Sequence, residues 1–142
     1  MTIQFLSTTA PAASSSPQVV VAPAGIAEGD VMLMEAYGFV EVPVGWTLIP
    51  GSEIHGDGAL SIFMRTVTAS EPADYTVIAT AGGLITGIIA FTSDAAQPIR
   101  VDAVGSQSNG VSTDRTWPVV TLVASETMIV AFAHVSANVG TV

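Results

Sequence analysis

The chain has 142 residues, of which 49% are apolar and only 11% charged, against about 25% charged in an average globular domain. Three arginines (Arg65, Arg100, Arg115), no lysine and twelve carboxylates give a formal net charge of −9, so the cationic clusters that hold nucleic acid or anionic membranes are missing. With no cysteine, disulfides, thiolate metal sites and thiol nucleophiles are excluded as well.

The first eighteen residues, MTIQFLSTTAPAASSSPQ, have no basic start and no apolar centre, so they do not read as a secretory leader. No apolar run approaches the roughly 20 residues of a membrane helix, and folding in the cytoplasm is expected. Ser, Thr, Ala and Pro dominate residues 7–17. Residues 1–17 therefore read as an extended N-terminal arm, either a bare tail or a segment that docks on a neighbour.

Short β-rich runs then recur between Gly and Pro punctuation. In chain order they are 18–22, 30–37, 46–49, 59–68, 74–80, 84–92, 99–104, 117–123 and 127–135. Alternation is clearest in ALSIFMRTVT, where Leu60, Ile62 and Met64 share one face while Ser61 and Arg65 share the other. DVMLMEAY, LITGIIAF and TMIVAF are apolar on both faces, the pattern of central strands covered on two sides. Residues 30–37, 59–68, 84–92 and 127–135 are accordingly the expected central strands. No window carries an uninterrupted helical stripe. The expected fold is all-β: a single β-sandwich over residues 18–142, with eight or nine short strands, little helix and an open sheet edge near the C-terminus.

The order Gly29-Asp30 before an apolar strand, Pro43-Val44-Gly45-Trp46, an apolar strand ending in Arg65, then Glu71-Pro72 and Tyr75 is a recognisable pattern. It resembles a jelly-roll-like module of phage virion proteins (capsid decoration, head-fibre and tail-fibre proteins) that is also found in some bacterial surface proteins. The likeness covers residues 18–92. It implies a jelly-roll-like sandwich in which Gly29, Asp30, Pro43, Gly45, Trp46, Arg65, Glu71, Pro72 and Tyr75 are framework. It further implies a virion location, a homotrimer, and a major capsid protein or another virion protein as partner.

Each of those residues has a framework role in physical terms. Gly29 permits a sharp turn and Asp30 caps free N–H groups as the strand begins. Pro43 and Gly45 shape a turn that delivers Trp46 into the inter-sheet core, with stacking on a sugar as the alternative use of that ring. Arg65 and Glu71 are an expected ion pair supporting a loop.

Residues with catalytic or metal-binding chemistry are sparse. His55, with Asp57 two positions on, lacks a third ligand in sequence, and His134 ends an apolar strand. No serine lies in a Gly-x-Ser-x-Gly elbow, and no phosphate-binding loop is possible without lysine. Asp57, Asp74, Asp94, Asp102, Asn109 and Asp114 are spaced too widely for a local calcium loop. No enzyme activity, cofactor or metal is expected. The leading expectation is a capsid decoration, cement or head-fibre subunit that buries apolar surface between copies and against a shell. The alternative is a tail-fibre or surface adhesin binding host glycans through exposed aromatics, the candidates being Tyr37, Phe39 and Trp117.

Overall fold

The computed structural model describes residues 2–55, 59–94, 98–107, 118–122 and 128–132. Within them the chain is all-β with no helix. It forms β1 (Ile3–Ser14), β2 (Gln18–Val21), β3 (Val31–Val40) and β4 (Thr47–Leu48). It continues through β5 (Ile54–His55), β6 (Ala59–Thr66), β7 (Asp74–Val77) and β8 (Ala79–Ser93). Six strands make one antiparallel sheet in the order β1-β8-β3-β6-β4, with β5 also on β6. Strands β2 and β7 pair separately and lie against one face of that sheet.

Period-two alternation builds the core between these layers. Met32, Met34 and Ala36 of β3, Phe63 of β6, and Leu84, Ile88 and Ala90 of β8 point to the same side. Val20 of β2 and Tyr75 and Val77 of β7 close over them, with Trp46 and Val67 at one end. The side chains of Met32, Met34, Phe63, Leu84 and Ile88 are fully buried. The expected sandwich is thus present as a large sheet facing a small one.

The strands that are apolar on both sides have a second use. On the far face of the large sheet, Ile49, Leu60 and Ile62 form a smaller cluster with Leu33, Tyr37, Ile54, Met64 and Phe132. Phe132 belongs to the C-terminal segment, so that segment covers part of this face. Three of the four expected central strands, 30–37, 59–68 and 84–92, are central in the sheet.

Other expectations are corrected. Residues 3–14, read as an arm, are edge strand β1, in register with β8 from Ile3↔Ser93 to Ser14↔Leu84. The Ser, Thr, Ala and Pro content of residues 7–17 resembled a linker, but Ile3, Phe5, Thr8 and Thr9 are strand-forming and β8 supplies the edge that pairs them. The 74–80 run is two strands, β7 and the start of β8. Residues 99–104 form no strand, and neither do the described portions of 117–123 and 127–135. Apolar alternation alone is insufficient there, because one margin of the large sheet is already filled and the other, at β1, is bulged and carries Pro11. The outer side of β6 is already taken by Thr47, Leu48, Ile49 and Ser52.

Candidate interaction surface

The residues of the recognised pattern converge at one end of the sandwich. Gly29, at φ +94°, donates its N–H to Val67 O at 3.0 Å, and Val67 N–H returns a bond to Asp30 O at 2.8 Å. The Asp30 carboxylate accepts from Ala27 N–H at 2.8 Å, the capping role its position implies. Trp46 N–H closes the turn onto Pro43 O at 3.0 Å, with Gly45 at φ +80° as a type II turn requires. That turn sets the Trp46 ring, 5% exposed, edge-on to Tyr75 with centroids 5.1 Å apart. A buried ring offers no face to a sugar.

Arg65 and Glu71 form the expected pair, though with more partners than an isolated surface bridge. Arg65 Nε donates to Glu71 Oε1, and its Nη1 donates to Gly45 O at 2.7 Å. Its guanidinium also lies 5.7 Å from the Tyr75 ring centre, within cation–π range. Tyr75 O–H donates to Glu71 Oε1, while Thr68 N–H donates to Oε2 at 2.8 Å and its hydroxyl to the same oxygen at 3.1 Å. Burial opposes the charge on Glu71, but bonds from Arg65, Tyr75 and Thr68 outweigh it and hold the carboxyl down at about 2. The Tyr75 hydroxyl is pushed well above its ordinary value by burial and by its bond to that carboxylate.

Beside this cluster runs an open groove of about 570 Å³, with Val21, Pro23, Ile26, Glu28, Glu71 and Pro72 in its walls. Glu71 is ionised and saturated with donors, so it accepts no proton near neutral pH. Among the described residues no group of three His, Cys, Asp or Glu side chains is placed to hold a metal. Asp74 is exposed on β7, Asp102 is exposed in the C-terminal segment, and Asp94 accepts from Thr2 N–H at 2.6 Å, so the carboxylates weighed in sequence are dispersed. Asp57, Asn109, Asp114, Trp117 and His134 lie outside the described residues, as does the side chain of His55.

One carboxylate that sequence reading passed over stands out. Glu35 alternates with Leu33 and Tyr37 on the far face of β3, level with Ile62 on one side and Gly87 on the other. It is half-buried among apolar neighbours, and that burial raises its pKa. Its signal was a single acid inside the apolar run VMLMEAY.

The outward surfaces are apolar to an unusual degree. On the outer side of the small sheet Val19 is 61% exposed and Val21 59%, and Ile78, between β7 and β8, is 44% exposed. Phe5 and Phe39 are about half exposed, and Val44 stands at the tip of its turn. The two edges of the large sheet differ in kind. The edge at β6 is sealed: Ile49 N–H donates to Ile62 O at 2.9 Å, and Ile62 N–H donates to the Ser52 hydroxyl at 3.2 Å. That hydroxyl donates in turn to Ile49 O at 2.7 Å. The opposite edge is β1, whose side chains are exposed or half-buried throughout. No family model, curated protein or solved structure matches the chain.

Proposed function

We propose that this chain is a virion structural subunit of a phage. It acts as a capsid decoration, cement or head-fibre protein that assembles as a homotrimer against a major capsid protein or another virion protein. The observation that carries this reading is the outward apolar surface of Val19, Val21 and Ile78 on a chain with so few charges. Surface of that kind is stabilised by contact with another apolar surface, at about 25 cal/mol per Å² before association costs. The converging framework residues support the resemblance from which the virion location and the jelly-roll-like class are taken. Their hydrogen bonds and packing are spent on one another, which supports a role in maintaining shape. Immunogold labelling of phage particles with an antibody to this chain tests the reading. Regularly spaced label on heads is expected, and label confined to tails together with glycan binding would replace it.

The second reading, a glycan-binding adhesin module, is favoured by Phe39, which is 48% exposed. A glycan array distinguishes the two, since a decoration protein gives no saturable signal there.

A further inference from the structure

We propose that β1 is an exchangeable strand: in the assembled protein the β1 of one copy lies in the β8 edge of a second copy. This rests on the assembly reading above and assigns the segment and the edge through which copies are joined. Four observations carry it. First, β1 sits at the sheet margin and pairs with β8 alone, so its departure opens no other strand pair. Second, it is held mainly through its backbone. Nine residue pairs register it on β8, yet Leu6 is its contact with the main core cluster and Phe5 packs edge-on to Phe91.

Third, the connection to β2 is only Ser15, Ser16 and Pro17. Three residues span about 10 Å when extended, enough to carry the strand toward an adjacent copy. Fourth, the side-chain bonds that tie β1 to the β2 region are made to groups that a second copy also presents. Thr9 Oγ1 donates to Val21 O at 2.8 Å, Ser7 Oγ to Ala24 O at 2.6 Å, and Ala12 O accepts from Gln18 Nε2 at 2.8 Å. Exchange re-forms all of these and changes only the hinge, which is why swapping an identical element is a low-cost route to oligomers.

Simple edge-to-edge addition on the outside of β1 is disfavoured by the same strand. Register shifts fall between Phe5 and Ser7 and between Thr9 and Ala12, and Pro11 lacks an N–H. Bulges and proline are how natural edges refuse a new neighbour. The strand is poorly suited to recruit a partner strand and well suited to being donated.

The absence of native cysteine allows a direct test. Gln4 and Thr92 are register partners across β1 and β8. The full chain carrying Gln4→Cys and Thr92→Cys is purified under native conditions, oxidised at micromolar concentration, and run denatured without reductant. Exchange yields a covalent species at a multiple of the 14.5 kDa chain mass. A species at the single-chain mass, with or without its thiols consumed, overturns the proposal. The two single-cysteine variants then serve as a control for random pairing. Co-refolded from urea as an equimolar mixture, they are expected to give covalent dimer at least fivefold above either variant refolded alone, and equal yields overturn the proposal. Particle binding by the oxidised double variant is scored separately. A cross-linked single chain that still decorates phage heads refutes exchange and leaves the virion reading standing. A cross-linked oligomer that binds no particle does the reverse.

Discussion

The Arg65 guanidinium lies where a Cβ on residue 45 would have to be. Its Nη1 reaches over Gly45 to the carbonyl oxygen, and a built Cβ at that position collides with the same nitrogen. Gly45 also has φ +80°, which L side chains rarely adopt. Both demands fall on one residue. Gly45→Ala should therefore destabilise by about 2–3 kcal/mol, combining backbone strain with a displaced Arg65. Urea denaturation followed by circular dichroism measures it. A loss below about 0.5 kcal/mol would show that the Arg65 contact is dispensable.

Trp46→Ala should cost about 3–5 kcal/mol, because the ring fills the end of the main core against Tyr75. Trp46→Phe should cost much less, about 1–2 kcal/mol. The indole Nε1 is buried without a hydrogen-bond partner among the described residues, so phenylalanine gives up volume and no bond. Equal losses in the two variants would indicate a partner for Nε1.

The Arg65–Glu71–Tyr75 network should make stability acid-sensitive. The Glu71 carboxyl ordinarily titrates near 4.5 and is held at about 2 in the folded chain. Its stabilising contribution is present above pH 4.5 and is lost as pH falls toward 2. After allowance for solvent screening at the rim, the loss is on the order of 1–2 kcal/mol. Glu71→Gln should remove most of that slope while lowering stability at pH 7. Melting temperatures at half-unit pH intervals report both effects.

Glu35 should behave with the opposite sign. Burial raises its folded pKa above 4.5, so the charged form weakens the fold at neutral pH and stability recovers as pH falls through the folded value. Glu35→Gln is expected to stabilise the protein at pH 7, with the advantage vanishing well below pH 4.5. A destabilised Glu35→Gln variant at pH 7 would show that the carboxylate is satisfied by a partner.

The fold class was legible because its signals are local. Alternation in ALSIFMRTVT marks β6, and the unbroken apolar runs mark β3 and β8 as central. The framework was legible for a related reason: Gly45, Trp46, Arg65 and Glu71 each announce a turn, a ring or a charge pair in their own residue type. Partner choice was not legible. Nothing local in Ile3–Ser14 says that β8 offers it an edge. Nothing in residues 99–104 says that the edge of β6 has been occupied by Ser52, a residue outside any strand. Glu35 was missed because its significance lies in Leu33, Ile62 and Gly87 around it, which only register brings together.

Ser52 has a consequence for solubility. Its hydroxyl occupies the position on Ile62 where another strand's carbonyl would bond, so a loop side chain finishes the sheet without presenting a template. With only 11% charged residues the chain has few charged side chains to guard its backbone edges, although its net charge of −9 repels other copies as a whole. Replacing that one hydroxyl leaves the buried Ile62 N–H without its partner. In this molecule one margin of the large sheet is closed by a serine side chain between strands, and the other is guarded by the bulges and proline of β1.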